Sequence, residues 1–299
     1  MKILLTGASG FIGKALFPAL VCKGHEVTLL SRERSNPAGI SEEIVCETAV
    51  WPQAVTGRYF DVCIHLAWIA KPGIYGNSPE NGLFASMTPL LADTLFQAGL
   101  PNFFGLGTSI EYAPGQTNAC DPATTTIAPQ SLYGKAKDYA RSGIAESSVL
   151  RNKGYTWARL FYPYGSGEHP ERIPSTFLRT LHKGEPLELK TPHSVKDWIE
   201  IKDVVSAIVC VVENGEPLGE INLGTGNGTD ILTLARLAAA ITGQSPDLVK
   251  SSTPGSVDSY AYHVADIRNL SAIGWKPRIN LQEGLQTLAN HLNLANREY

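Results

Sequence analysis

Short apolar runs alternate with longer amphipathic stretches through the first half of the chain. "KILLTG" from Lys2, "HEVTLLS" from His25, "FDVCIHLA" from Phe60, "NFFGLGTS" from Asn102 and "YTWARLFY" from Tyr155 read as buried strands. Between them, Phe11–Cys22, Ser86–Ala98 and Leu132–Lys153 read as helices. Strands that alternate with helices predict an α/β fold with a doubly wound parallel sheet of the Rossmann type. Pro18 falls inside the first helix and lacks an N–H, which predicts a kink or an early helix end there.

The rhythm changes after about residue 162. "PYGSGEHPERIP" is rich in Gly and Pro and reads as a loop. Strands are expected near Val195–Ile201 and Glu220–Leu223, flanking the helix-like "KDVVSAIVCVVEN". "TDILTLARLAAAITG" reads as a further helix, capped by Thr229 or Asp230.

Composition narrows the classes of function. With 43% hydrophobic and 18% charged residues, the 299-residue chain can bury a sizeable core. A net charge of −3 gives no general attraction to nucleic acid or to an anionic membrane, so neither partner is expected. The five cysteines, at 22, 46, 63, 120 and 210, form no C-x-x-C and are odd in number, which suits a reducing, cytoplasmic setting. "MKILLTG" has too short an apolar run for a signal peptide, and no stretch of about 20 apolar residues predicts a membrane span. The seven histidines show no metal-ligand spacing, so no metal is expected.

The chemistry begins with "TGASGFIG", Thr6–Gly13, directly behind the first strand. Gly7 permits a tight turn, Gly10 lets backbone approach a pyrophosphate, and Gly13 lets the helix sit close on the sheet. The free N–H groups of the helix start favour the anionic bridge of a dinucleotide. At the end of the second strand stands Ser31, where a carboxylate would bind the ribose of NAD; Arg32, Glu33 and Arg34 follow. A guanidinium there can pair with a 2′-phosphate, so NADP(H) is preferred over NAD(H), although Arg32 and Arg34 also fit as solvated loop charges. "SLYGKAKDYA" places Tyr133 and Lys137 four apart, on one helix face. A cation beside the phenol favours the phenolate and brings its pKa down toward neutrality. Upstream, Thr108 and Ser109 offer hydroxyls at a strand end.

Together these motifs resemble the extended short-chain dehydrogenases/reductases, and within them the nucleotide-sugar epimerase/dehydratase group. "ARLFYPYGSGE" is similar to that group's R-x-F-N-x-Y-G-P-G, and "VKDWIEIKDV" to its R-D-F-x-H-V-x-D-V. "INLGTGNGTDILTLA" and "IGWKPRINLQEGL" match its last segments, so the resemblance spans nearly the whole chain. It implies a Rossmann domain over residues 1–161, with a segment of about 195–225 returning to it. Residues 162–299 then form mainly a smaller, C-terminal sugar-nucleotide domain. It implies Tyr133 as the acid–base tyrosine, Lys137 as the residue that lowers its pKa and holds the nicotinamide ribose, and Thr108 as the catalytic hydroxyl. Gly7, Ser9, Gly10, Phe11, Ile12, Gly13, Arg32, Leu66 and Ala67 would join Tyr133 and Lys137 around the cofactor. Thr108, Ser109, Tyr162, Arg172 and Lys196 would meet a nucleotide-diphosphate sugar, Arg172 and Lys196 at its diphosphate. His65 would shape the cofactor loop. Homodimers built on paired helices, including the tyrosine helix, are usual in the group.

Two positions narrow the reaction. The group's 4,6-dehydratases carry Asp-Glu after the catalytic Thr, where this chain has Ser109 and Ile110. Epimerase-reductases of the fucose type carry Cys at the place of Ile110. Glu111 is one residue off register and points to the opposite face of a strand. Tyr133 is left as the single proton donor. "HLAWIAKPGIYGNSPEN" departs from the epimerase pattern H-x-A-A and is more similar to deoxysugar 4-ketoreductases of the CDP-paratose/abequose type. The expectation is therefore NADPH-dependent reduction of a nucleotide-linked 4-keto deoxysugar. The alternatives are a 4-epimerase with tightly held NAD(P) and, more remotely, an NADP-binding sensor without turnover. Tyr162 stands where the group has Asn, and Lys196 where it has Arg, so the diphosphate would meet a point charge and not a fork.

Overall fold

The structure, a computed structural model, describes residues 1–69, 71–251 and 257–295. The first half runs β1 (Lys2–Thr6), α1 (Phe11–Cys22), β2 (Glu26–Ser31), β3 (Glu42–Val45), α2 (Trp51–Ala54), β4 (Val62–His65), α3 (Glu80–Gln97), β5 (Asn102–Thr108), α4 (Leu132–Arg151) and β6 (Gly154–Leu160). The second half begins with β7 (Tyr162–Tyr164), α5 (Ile173–His182), β8 (Leu187–Leu189), β9 (Val195–Glu200), α6 (Ile201–Asn214) and β10 (Gly219–Leu223). It closes with β11 (Gly228–Asp230), α7 (Ile231–Ile241), β12 (Val249–Ser251), β13 (Tyr262–His263), α8 (Arg268–Ala272) and α9 (Leu281–His291).

Seven parallel strands form the large sheet in the order β10-β6-β5-β4-β1-β2-β3. The chain winds outward from β1 to β3 and then from β4 to β10, so the reversal falls between β1 and β4. A crevice opens beyond the strand ends at such a point. Sequence and burial agree in β1: Ile3 and Leu5 join the core under α1 and α6, while Leu4 faces the core under α3 and α4. A strand covered on both faces has no polar side, which is why these runs read as continuous apolar stretches. The smaller sheet is built around β9, which pairs with β7 and β13 in parallel and with β11 antiparallel. A third core joins it to α5, α7 and α9 through Tyr164, Phe177, Trp198, Leu234 and Leu285. Among the described residues, no helix is long and apolar enough to cross a membrane.

Several expectations change. α1 continues through Pro18 to Cys22 without an early end. Pro18 and Lys14 are both exposed on one helix face, so the carbonyl that loses its partner lies on the solvent side. α3 starts at Glu80, six residues before the apolar pattern becomes visible, because its first turns carry Glu80, Asn81 and Gly82. β3 escapes the hydrophobic pattern because "EEIV" is a half-exposed edge strand. α5 escapes it because Ile173-Pro174 looks like a loop, although proline is well suited to a helix's first turn. "YTWARLFY" divides at Phe161, with β6 in the large sheet and β7 in the small one. The segment 195–225 also divides: α6 and β10 join the large sheet and its helical layer, whereas β9 centres the small sheet. Asp230, not Thr229, caps α7 by accepting the Thr233 N–H at 2.8 Å.

Gly13 is constrained by its own turn and not by the sheet. A Cβ there would stand 2.1 Å from the Gly7 carbonyl oxygen and 2.6 Å from Ala8 Cα, both backbone atoms. At Gly10 the nearest atom to an added Cβ is 3.3 Å away. Gly13→Ala should therefore cost about 1–3 kcal/mol of unfolding free energy through overpacking. Gly10→Ala, at the helix N-cap, should cost about 1 kcal/mol or less. Urea unfolding of both variants checks this, and equal losses would contradict it.

Candidate active site

A cleft of about 320 Å³ lies at the carboxyl ends of β1, β2, β4, β5 and β6. One side is backbone. Gly7 turns with φ +76°, and an added Cβ would stand 2.6 Å from the Ala67 nitrogen, so Leu66-Ala67 lie directly on the turn. Gly10 caps α1 without any side-chain hydrogen bond, and the residues of the first turn line the cleft. Their N–H groups have no intrahelical acceptor, and the positive end of the helix dipole adds to them. Such a cradle fits the pyrophosphate of a dinucleotide. Gly7, Ser9, Gly10, Phe11, Ile12, Gly13, Arg32, Leu66, Ala67, Tyr133 and Lys137 all line the cleft. Arg32 is exposed, 3.8 Å from a Glu80 carboxylate oxygen. Ser31 donates to the Glu33 carbonyl, and Glu43 is engaged by Ser35 and Asn36. His65 lies beneath the cofactor side, bridging Thr6 Oγ1 at 2.9 Å and Thr88 Oγ1 at 3.0 Å, while Thr6 Oγ1 accepts the Ala67 N–H. Burial, helped by the Lys137 charge, brings its pKa down to about 3 and keeps the ring neutral.

The other side carries hydroxyls and aromatic rings. Thr108 ends β5, and Tyr133 sits in the first turn of α4, whose N-cap Ser131 accepts the Gly134 N–H at 3.0 Å. Tyr133 and Thr108 both line the cleft, and the Thr108 hydroxyl acts on the phenol. Enclosure raises the Tyr133 pKa above the ordinary phenol value, and Tyr75 and Glu111 push it the same way. The Thr108 hydroxyl and the Arg172 charge oppose the rise without reversing it. The phenol's pKa thus stays above its ordinary value, whereas the expectation was that Lys137 lowers it. Lys137 Nζ donates to the Leu106 carbonyl at 2.6 Å and lies 4.0 Å from the centre of the Trp68 ring, against 5.9 Å from that of Tyr133. Burial brings Lys137 itself down to about 7, with Glu111 opposing.

Of the expected substrate residues, Thr108, Ser109, Tyr162 and Arg172 line the cleft and Lys196 does not. Lys196 is buried, donating to Asp258 Oδ2 at 2.7 Å and to the Tyr260 carbonyl. An amine already paired with a carboxylate is not free to meet a diphosphate. Tyr162, at the Asn position of the motif, donates its hydroxyl to His263 Nδ1 at 2.9 Å, and His263 Nε2 donates to the Ser109 carbonyl at 3.1 Å. Sequence reasoning missed the aromatic wall. Trp68 stacks on Phe84 and donates to Asn81 Oδ1 at 2.8 Å, and Tyr75 meets Tyr133 edge-on at 4.9 Å. Its signal was the tryptophan in "HLAW". Among the described residues, no Asp, Glu, Cys or His side chain lines the cleft.

The family described as the NAD dependent epimerase/dehydratase family matches residues 3–224. UDP-glucuronic acid decarboxylase 1 of Xenopus tropicalis is 25% identical, over 100% of this chain and 75% of its own length. The dTDP-6-deoxy-L-talose 4-dehydrogenase (NAD(P)(+)) of Kitasatospora kifunensis is 21% identical, over 96% of this chain and 94% of its own. The solved structure of UDP-glucose 4-epimerase from Thermus thermophilus in complex with NAD superposes with a TM-score of 0.81 at 23% identity, covering 98% of this chain and 99% of that one. At that identity the likeness is one of fold.

His65 and His263 have pKa values held down to about 3 and about 4 by burial. Unfolding exposes both rings, which then take up protons near the ordinary value of about 6.5. Their contribution to stability is complete above that pH and is lost as pH falls toward the folded values, by about 1.4 kcal/mol per pH unit for each ring. Unfolding free energies between pH 7 and 4.5 should show this slope. His65→Gln should be less stable at pH 7 but decline less steeply, and an unchanged slope would contradict the assignment.

Proposed function

The chain belongs to the NAD dependent epimerase/dehydratase family, and on that premise we propose that it reduces a nucleotide-linked 4-keto deoxysugar at the expense of NADPH. The observation that carries this reading is the acid–base content of the cleft, which offers the phenols of Tyr75, Tyr133 and Tyr162 and the Lys137 amine but no carboxylate, thiol or imidazole among the described lining residues. Water elimination, or epimerisation beside the ketone, needs a further base to take a carbon-bound proton. Reduction of a ketone needs one proton on oxygen.

The dinucleotide, when bound, supplies the hydride. In this reading Gly10 and the first turn of α1 hold its pyrophosphate, Leu66 and Ala67 wall it in, and Arg32 meets a 2′-phosphate. Thr108 accepts the Glu111 N–H at its hydroxyl oxygen and keeps its own O–H free to donate. That O–H and the Tyr133 phenol hydrogen-bond the ketone oxygen and stabilise the charge that builds on it. The phenol, kept protonated by its enclosure, passes its proton to that oxygen and completes the alcohol. Lys137, with a pKa near 7, is matched to returning a proton to the phenolate. Arg172 is the cation left to meet the sugar nucleotide's diphosphate. The small sheet and α5, α7 and α9 form the substrate side.

The name of the Kitasatospora relative, a nucleotide-sugar 4-dehydrogenase, supports chemistry at C4. The family's description supports a second reading, 4-epimerisation, for which the same hydroxyl set suffices. A homodimer belongs to the proposal, supported by exposed Leu83 and Leu90 on α3 and by Leu132, Tyr139, Val149 and Leu150 on α4. A cytoplasmic setting is supported by five unpaired cysteines.

With a 4-keto-6-deoxy nucleotide sugar, NADPH absorbance should fall one-for-one with product, and deuterated NADPH should label C4 alone. Interconversion of two 4-hydroxy epimers without added cofactor would favour the epimerase instead. Tyr133→Phe should slow turnover by about 10²–10⁴ with little change in cofactor affinity. Near-full activity in that variant would remove Tyr133 from its role.

Cofactor choice is tested separately by titration. A charge-assisted contact is worth about 1.5–3 kcal/mol, so Arg32→Ala should weaken NADPH roughly tenfold or more and leave NADH nearly unchanged. Equal affinity of the unaltered protein for both dinucleotides would overturn the preference for NADPH.

A further inference from the structure

Glu111 lies close behind the reaction side of the cleft without lining it. It is fully buried, in the turn that follows β5. Its Oε1 accepts the Thr108 N–H at 2.8 Å, and the Thr108 hydroxyl oxygen accepts the Glu111 N–H in return. Its Oε2 accepts Arg159 Nε at 2.8 Å and Trp157 Nε1 at 3.0 Å. Burial pushes the Glu111 carboxyl up, and every side-chain partner is a donor that favours its ionised form against that push. Arg159, equally buried, passes Nη2 to Glu220 Oε2 at 2.7 Å, and Glu220 Oε1 accepts Arg141 Nη1 at 2.6 Å. Arg141 stands on α4 eight residues beyond Tyr133 and four beyond Lys137, on the same helix face. A chain of alternating charges thus leaves Thr108 on β5, crosses β6 and β10, and returns to the helix that carries Tyr133 and Lys137.

We propose that Glu111 is a positioning residue, whose carboxylate sets Thr108 and Lys137 for the chemistry at Tyr133. The proposal rests on the reading of Thr108, Tyr133 and Lys137 as the reacting set. Stability alone does not account for the pair, because apolar residues of similar volume often replace a buried ion pair at no loss. Trp157, whose indole N–H Glu111 accepts, has its ring centre 5.8 Å from Lys137 Nζ, so Glu111 is one side chain removed from the lysine. The carboxylate's charge draws Lys137 up against burial and pushes Tyr133 up, so both are biased to hold their protons. The other groups facing Lys137 are the neutral His65, the Tyr133 ring and the indoles of Trp68 and Trp157. Those facing Tyr133 are Tyr75, the Trp68 indole, Thr108 and Arg172. Glu111 is the carboxylate that acts on both.

The test is Glu111→Gln, which keeps the shape and removes the charge. NMR titration of ¹³C-labelled lysine, with the Lys137 signal assigned by its loss in Lys137→Met, should show the midpoint moving down by about one pH unit or more. Turnover should fall roughly tenfold or more with KM nearly unchanged, and the alkaline limb of the pH profile should move down with the lysine. Arg159 left alone can unfold the protein, so Glu111→Gln is paired with Arg159→Met, which removes both buried charges. The double variant should fold, yet keep the lowered midpoint and the slow turnover. A double variant with the Lys137 midpoint and turnover of the unaltered protein would overturn the positioning role and leave the proposed reaction intact. If no keto sugar is reduced by the unaltered protein, the reaction falls, and the NMR titration alone decides whether Glu111 sets Lys137.

Discussion

A side chain on residue 13 would come within 2.1 Å of the Gly7 carbonyl oxygen, and one on residue 7 within 2.6 Å of the Ala67 nitrogen. Three backbone segments, the end of β1, the start of α1 and the loop after β4, therefore meet with no side chain between them. The rest of the cleft follows from that contact. It aims the first turn of α1 at the place where the strand order reverses, so amide groups with no other partner face the crevice. It also presses Leu66-Ala67 onto the turn, with Thr6, His65 and Thr88 hydrogen-bonded underneath. The anion-binding half of the cleft is thus built almost entirely from main chain.

The facing half is built from side chains, and burial is its organising force. Lys137, Glu111 and Arg159 all have almost no exposed surface. In such surroundings a charge persists only with a partner close by. Lys137 takes a carbonyl and an indole face, and Glu111 takes three N–H donors. The same enclosure keeps Tyr133 a phenol. Proton donors are thus stocked on this side, while the amide cradle opposite has no titratable group.

How much of this the chain discloses depends on what each residue answers to. β1, β4, β5 and β6 were legible because strands buried on both faces carry mostly apolar residues. The glycine turn was legible because few other residues can occupy it, although the reason for Gly13 proved to be the turn. Edge strand β3 was hidden, since half-exposed glutamates satisfy solvent as well as a sheet. Pro18 misled because a proline's cost depends on where the orphaned carbonyl points. Tyr133, Lys137 and Thr108 could be picked out by spacing and are brought together. The groups that act on Tyr133 could not, because Tyr75, Glu111 and Arg172 reach it from distant parts of the chain. Lys196 shows the same limit, since its partner Asp258 lies 62 residues away. Glu111 does turn from the cleft, but it lies in the helical turn after β5 and not on the opposite face of a strand as expected. Its meaning lies with Arg159, and a lone Glu in "TSIEY" and a lone Arg in "TWARLF", each amid buried residues, were the hint of a pair.

Trp68 has an optical consequence. Of the five tryptophans, Trp51, Trp157, Trp198 and Trp275 are buried, and Trp68 alone keeps an accessible edge. Its ring faces the Lys137 ammonium at 4.0 Å on the wall of the cleft. Indole emission responds to nearby charge and polarity. The protein therefore carries a built-in fluorophore at the one place where the lysine's ionisation and the cleft's contents both change, so these events can be followed by light without a dye.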